Sequence, residues 1–340
     1  QTVPWSRPTD RAATEASRTD HELRHFPRAF PPPPGSPGRW RFWHALGADM
    51  AYAPVMMPSL QTSHPGSIAA DAKALRTWLD RHAHVFVLTG AGVSTASGIP
   101  DYRDSHGEWK RPPPVTYQAL VGDPATYRRY WARSYVGWPR FSAAVPNAGH
   151  RALTALEQTG RITALITQNV DALHQRAGSR AVIDLHGRLD RVVCLGCGDE
   201  QPRTELQLRM NAANADWQPR DAAAAPDGDA DIDAAAARKF VPPHCTRCGG
   251  MLKPDVVFFG ENVPRLRYAQ AVAALEAADA MLVVGSSLMV YSGYRFARMA
   301  HERGTPVAIL NRGQTRADAL VDLKLESDCG AVLAAVSAAD

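Results

Sequence analysis

The sequence predicts an α/β protein, a parallel β-sheet with helices on both faces, joined to a small second domain that carries a helical insertion. Runs of four to seven residues rich in Val, Ile and Leu recur along the chain, as expected of strands buried on both faces of a sheet. Longer helix-like segments separate them, and such alternation yields parallel sheets covered by their crossover helices. Two segments break the alternation, and one of them holds four of the five cysteines. That break marks the second domain.

Residues 1–60 are rich in Pro and Arg, with "FPPPPGSPGRW" in the middle, the composition of a poorly ordered extension. A transit peptide is a competing reading, opposed by Asp10, Glu15, Asp20 and Glu22 because such peptides are poor in acids. A natural start at Met50, Met56 or Met57 is a third. The segment "SIAADAKALRTWLDRH" then predicts a helix, followed by the strand "VFVLTG" at 85–90. The helix "AGHRALTALEQTG" precedes strands "ITALITQ" at 162–168 and "AVIDLHG" at 181–187. The helix "RLRYAQAVAALEAAD" precedes "MLVVGSS" at 281–287, "PVAILN" at 306–311 and "DLKLE" at 322–326. Residues 61–107, 147–190 and 252–340 therefore make up a discontinuous large domain, and 108–146 with 191–251 the small one. Within the latter, "DAAAAPDGDADIDAAAA" reads as a flexible excursion.

A chain of 340 residues, 45% hydrophobic, can bury a full core. Its 38 basic and 34 acidic residues leave a formal charge of +4 without any basic block, so charge gives no argument for nucleic acid. No apolar stretch approaches the ~20 residues of a membrane span, and no secretory signal opens the chain. A cytoplasmic monomer is expected, with no membrane or nucleic-acid partner.

Cys194 and Cys197 form one C-x-x-C, and Cys245 and Cys248 another. Two such knuckles can wrap one zinc ion with four thiolates, a closed site that holds a fold and leaves no position open for chemistry. A redox C-x-x-C or unrelated thiols are the alternatives. His244 adjoins the second knuckle, but four thiolates suffice. Asp227, Asp229, Asp231 and Asp233 imitate a calcium loop only superficially, because the required glycine and final acidic residue are missing.

Ligands of open α/β sheets bind beyond the carboxyl ends of the strands, and several strands here end in polar groups. Gly90-Ala91-Gly92 permits a tight turn and close approach to a pyrophosphate, with a following helix offering its N–H groups. The dehydrogenase fingerprint wants a third glycine where Thr95 stands, so an ordinary strand-to-helix turn is the competing reading. Gln168-Asn169-Val170-Asp171, His186-Gly187 and Gly285-Ser286-Ser287 end three further strands. Singly, each has a structural explanation: a helix cap, a satisfied half-buried histidine, a turn glycine.

Together, "GAGVSTASGIPDYR", "TQNVDALH", "HG", the paired C-x-x-C, "KPDVVFFGE" and "GSSLMV" occur in an order that resembles the sirtuins, NAD-dependent protein lysine deacylases with a Rossmann-like NAD-binding domain. The likeness runs from about residue 66 to the C-terminus. "RYWARSYVGW", "APDGD", "LKPDVVFFG" and "GSSLMVYSGYRF" resemble the class II branch, typified by the mitochondrial sirtuin linked to lipoamidase, ADP-ribosyltransferase and branched-acyl deacylase activities. The resemblance implies that Gly90, Ala91 and Gly92 face the pyrophosphate of NAD, while Asp101, Tyr102 and Arg103 close over the nicotinamide ribose. It implies that Gln168, Asn169 and Asp171 line the nicotinamide pocket and that His186 is the general base. Gly285, Ser286 and Ser287 would meet a phosphate and ribose; Asn311, Arg312 and Gly313 the adenine ribose; Cys329 the adenine, although a buried Cys329 is also simply a small hydrophobe. Val256, Val257, Phe258, Phe259 and Gly260 resemble the segment that pairs with an acyl-lysine peptide as an added strand.

Implied products are nicotinamide, free lysine and O-acyl-ADP-ribose. Tyr130 and Arg133 share one helical face and resemble the Tyr-x-x-Arg with which some sirtuins bind an acyl carboxylate, so acyl groups larger than acetyl are expected. The same pocket would serve mono-ADP-ribosylation of protein, the rival reaction within the family. A non-catalytic nucleotide sensor is the rival outside it, opposed by the intact Asn169, Asp171 and His186. Nucleic-acid binding through the knuckles lacks a basic stripe with interleaved aromatics.

Overall fold

The computed structural model describes residues 67–110, 114–217, 229, 232 and 234–338. The expected extension at 1–60 lies outside the described residues. Helix α1 (Ile68–Leu79) leads into β1 (Val85–Thr89), and α2 (Tyr117–Gly122), α3 (Pro124–Ser142) and α4 (Ala148–Gln158) precede β2 (Ile162–Thr167). Then come α5 (Leu173–Ala177), β3 (Val182–Asp184), β4 (Gly187–Cys194), β5 (Glu200–Pro202), α6 (Arg203–Ala213) and α7 (Ala234–Ala237). The remainder is β6 (Leu252–Val256), α8 (Arg265–Glu276), β7 (Ala280–Val284), α9 (Tyr291–Glu302), β8 (Val307–Leu310), β9 (Leu323–Leu325) and α10 (Cys329–Ser337).

All six expected strands join one parallel sheet, in the order β3-β2-β1-β7-β8-β9. Its core shows the period of two that a doubly covered strand requires. Val85, Val87, Leu282, Val284, Ala308 and Leu310 pack on the face that holds α1, α4 and α10. Phe86, Leu88, Met281, Val283, Val307 and Ile309 pack on the opposite face, against Leu275, Phe296 and Ala300 of α8 and α9. Strand order reverses between β1 and β7, the switch point where open α/β sheets bind ligands.

Strands β5, β4 and β6 form a separate antiparallel sheet. The sequence-based boundaries at 190/191 and 251/252 cut through it, because β4 and β6 begin inside segments assigned to the large domain. Helix α3 is bolted to β6: Tyr127 Oη donates to Pro243 O (2.7 Å) and accepts from Leu252 N (3.0 Å), while Trp131 Nε1 donates to Leu252 O (3.3 Å). Asp123 caps α3 by accepting from Ala125 N and Thr126 N. The Ala/Asp-rich stretch departs from its reading as an excursion at the residues described: Asp229 is 2% exposed, and Ile232 packs against the small module's apolar core. Among the described residues, no helix is long and apolar enough to cross a membrane.

Candidate active site

The four cysteine sulfurs lie within 4.8 Å of one another. Sγ of Cys194 is 3.5 Å from that of Cys248, and Cys197 is 3.8 Å from Cys245. Tetrahedral zinc with bonds of about 2.3 Å sets its sulfurs ~3.8 Å apart, so this donor set fits one zinc ion. Gly196 N and Gly250 N donate to Cys194 Sγ and Cys248 Sγ, which favours the thiolate form a metal needs. A cluster of four sulfurs with no disulfide among them suits a structural ion better than the redox or unrelated-thiol readings.

A cavity of about 480 Å³ opens at the switch point of the parallel sheet, within the usual range of cofactor pockets. Two glycines shape it. A Cβ on Gly90 would stand 2.7 Å from Ser286 Cβ, and one on Gly92 would stand 2.9 Å from Gly285 Cα. Only bare backbone lets these loops meet, and Gly92 N donates to Gly285 O across the gap (2.8 Å). The turn differs from expectation in one respect. Two 3₁₀ turns, Ala91–Val93 (which contains Gly92) and Thr95–Ser97, follow Gly90 in place of an α-helix. Gly98 ends them in the left-handed region at φ 83, and Pro100 comes two residues later.

Gln168, Asn169 and Asp171 follow β2 into the cavity wall. Gln168 Nε2 donates to Ser286 Oγ (2.7 Å), tying the end of β2 to the loop after β7. Asn169 Nδ2 donates to Gly90 O (3.0 Å) and Ser94 Oγ (3.1 Å). Ser94 Oγ in turn donates to Asp171 Oδ2 (2.6 Å), whose other oxygen accepts from Leu173 N (2.9 Å). Burial raises the Asp171 carboxyl while these donors pull it back down. Ala172 and Leu288, both non-glycine residues with positive φ (59° and 56°), adjoin Asp171 and the Gly285–Ser287 turn. Such conformations cost ~1–3 kcal/mol each and persist where surrounding packing enforces them.

His186, between β3 and β4, has its tautomer fixed by its neighbours. Its Nδ1 is 3.0 Å from Gln168 O, a group that only accepts, so Nδ1 carries the hydrogen. The lone pair is then on Nε2, which accepts from Ser292 Oγ at 2.7 Å. Burial pulls this imidazole down to about 4, opposed by the Gln168 hydrogen bond and assisted by Arg295 and Arg267. The resting protein therefore holds a neutral imidazole at the cavity wall.

Beside His186 runs the end of β6 and the segment that follows it. Lys253, 7% exposed, donates from Nζ to Val256 O (2.6 Å) and Glu261 Oε2 (3.0 Å), and Glu261 also accepts from Phe258 N (2.8 Å). This ion pair closes residues 256–261 into a loop, and Val257 N donates to His186 O (2.8 Å).

The cavity wall gathers Gly90, Ala91, Gly92, Asp101, Tyr102, Arg103, Tyr130, His186 and Val256 to Gly260, with Gly285, Ser286, Ser287, Asn311 and Arg312. Three expected residues stand off it. Gly313 abuts Ser105, where a Cβ would come within 2.4 Å of the carbonyl oxygen. Cys329 is 8% exposed, with Sγ 3.5 Å from Gly92 O, and burial raises its thiol to about 11; it packs as a small hydrophobe. Arg133 pairs with Asp229 (3.8 Å). Ser94, Ser292 and Asp229 are among the wall residues that the sequence did not assign to the site.

The sequence profile of the Sir2 family matches residues 90–292. The chain belongs to the Sir2 family. An "NAD-dependent protein deacetylase" of Xanthomonas axonopodis pv. citri is 61% identical over 266 residues, 78% of this chain and 91% of that protein. "NAD-dependent protein deacetylase 1" of Streptomyces coelicolor is 50% identical over 80% of this chain and 90% of its own length. Among solved structures, Sir2 with a p53 peptide and NAD+ superposes with a TM-score of 0.61 at 30% identity, covering 77% of this chain and 95% of that one. The sirtuin fold, with its Rossmann-like parallel sheet, accounts for the architecture described above.

Proposed function

We propose that this sirtuin removes acyl groups from lysine side chains of peptides or proteins, using NAD as co-substrate and a single structural zinc. The observation that carries the reading is His186 with its Nε2 lone pair at a cavity wall shared with Asn169, Asp171 and a glycine-bared loop crossing. The glycine crossing at the sheet's switch point suits a dinucleotide, with Gly285, Ser286, Ser287, Asn311 and Arg312 toward its adenosine side. When bound, NAD supplies an electrophilic ribose carbon that accepts the acyl oxygen as nicotinamide leaves. Asp171 and Asn169, joined through Ser94, orient polar groups of the nicotinamide half. Asp101, Tyr102 and Arg103 cover that half and exclude water. His186 Nε2 takes a hydroxyl proton once Ser292 Oγ gives way, the work of a general base.

The loop at 256–260 offers backbone to an acyl-lysine peptide as an added strand. Tyr130, Phe141, Leu189 and Phe258 line part of the same cavity, which suits acyl groups larger than acetyl. "RYWARSYVGW" and "GSSLMVYSGYRF" support placement near the class II branch. The deacetylase names of the relatives above favour acyl removal over ADP-ribosyl transfer to protein.

The test is mass spectrometry of acyl-lysine peptides incubated with the protein and NAD, beside His186→Ala. Expected are NAD-dependent acyl loss, matching nicotinamide release, and a drop of ~10²–10⁴-fold in the variant. Nicotinamide release with no acyl loss from any peptide, and label from NAD retained on protein, would overturn the reading in favour of ADP-ribosyl transfer.

A further inference from the structure

Helix α3 presents Tyr130 and Arg133 one turn apart. Tyr130 reaches the cavity wall, edge-on to Phe258 with ring centroids 5.3 Å apart. Arg133 does not; its Nε stands 3.8 Å from Oδ2 of Asp229, and it is the Asp229 carboxylate, its side chain 3% exposed, that lines the cavity. Arg203, 1% exposed, lies behind the pair, over the rings of Trp131 and Trp138 and donating to Ser134 O. Burial lowers Arg203 to about 10 against the opposing pull of Asp229. A carboxylate so deeply buried requires counter-charge, and the two guanidiniums supply it.

We propose that Asp229 sets the acyl selectivity of this site: its carboxylate already holds the position an acyl-chain carboxylate would need beside Arg133, so the cavity accepts neutral acyl chains and rejects carboxyl-tipped ones. The proposal rests on the deacylase reading above. A carboxyl-tipped chain entering this wall would meet a like charge at short range and find Arg133 engaged, an unfavourable element of the kind that creates selectivity. A neutral tip meets Tyr130 and Phe258 without that cost. Arg133 then serves Asp229, and through it the shape of the wall, in place of the substrate carboxylate that its spacing from Tyr130 implied.

The experiment compares kcat/KM on one peptide bearing succinyl-lysine or its uncharged isostere, succinamoyl-lysine, with acetyl-lysine as reference. The protein is expected to favour the neutral isostere by at least ~10-fold, the scale of a modest charge mismatch. Asp229→Asn should raise the succinyl to succinamoyl ratio by a similar factor. Asp229→Asn combined with Arg133→Met should lose that gain, since the Arg133 guanidinium beside the neutral Asn is what the substrate carboxylate would use. A protein that turns over both chains equally, or an Asn variant with an unchanged ratio while acetyl-lysine is still processed, overturns the proposal alone. Should Asp229→Asn fail to fold, Arg133→Met decides. A fall in the succinyl to succinamoyl ratio there would show Arg133 binding substrate and overturn the proposal, and an unchanged ratio upholds it. NAD-dependent turnover of none of the peptides overturns the deacylase reading, and this proposal with it.

Discussion

Replacing Gly187 with alanine tests whether the small sheet and the base are one mechanical unit. Gly187 has φ 80, and a Cβ there would stand 1.9 Å from Asp255 O and 3.0 Å from Nη1 of Arg267. A non-glycine residue in the left-handed region costs ~1–2 kcal/mol. The carbonyl belongs to the partner strand, where Gly187 and Val256 are in register, so relief requires β4 and β6 to part by at least ~1 Å, with overpacking of ~1–3 kcal/mol. Parting them also strains the bond from Val257 N to His186 O, worth ~1 kcal/mol. A loss of roughly 3–6 kcal/mol is expected, a large part of the ~5–15 kcal/mol that holds a typical domain. Urea unfolding measures it. Gly160→Ala is the control, because Gly160 has φ 79 but nothing within 4 Å of a Cβ, and should cost only ~1 kcal/mol. If Gly187→Ala loses no more than the control and keeps its kcat, the overlap and the coupling to His186 are both refuted.

Other perturbations have calculable signs. Ser292→Ala removes the donor that stabilises neutral His186 at Nε2, so the His186 pKa rises and the acid limb of the kcat/KM profile moves to higher pH; a limb at unchanged pH would count against the Nε2 assignment. His150 and His174 are buried with ring centroids 4.8 Å apart, and burial first, then a neighbouring cation or ring, lowers both, His150 to about 4 and His174 well below its ordinary value. Because the folded state resists protonation that the unfolded chain accepts near pH ~6.5, their stability contribution is intact above that pH. It falls as pH drops from about 6.5 toward 4, by roughly 3 kcal/mol for His150 alone, and His150→Leu should flatten the slope of denaturation midpoint against pH. Chelating zinc or replacing Cys197 by Ala should release one metal equivalent and open β4, β5 and α6 to protease, detected by metal analysis and limited proteolysis.

The four inner strands β1, β2, β7 and β8 were legible because an apolar run buried on both faces leaves no alternative role for Val, Ile and Leu side by side, while the half-buried edge strands β3 and β9 were legible from their place in the alternation with helices. Site residues at the ends of β1, β2 and β7 were legible for a related reason: polar groups follow directly on core strands. Ser94 and Ser292 were not, since a single serine carries no local signal and their partners lie 77 and 106 positions away in sequence. Asp229 was hidden by composition. Its alanine-rich neighbourhood reads as solvated chain, and the sequence-distant guanidiniums of Arg133 and Arg203 help to make its burial tolerable. The same long-range pairing explains why Tyr130 and Arg133, adjacent on one helical face, diverge in destination.

His186 ends the path from the parallel sheet, and Gly187 begins the antiparallel one. From that joint β4 runs seven residue steps to Cys194, a lever of about 23 Å at the usual rise per residue. The metal end of the lever is remote from the chemistry, yet a tilt of β4 about its foot swings the imidazole and the loop at 257, which hang from the same backbone joint. A spacing error among the four sulfurs would thus reach the site as an error of aim: the His186 imidazole and the loop at 257 would turn together, keeping their mutual geometry while losing their alignment with the Gly90–Gly92 side of the cavity.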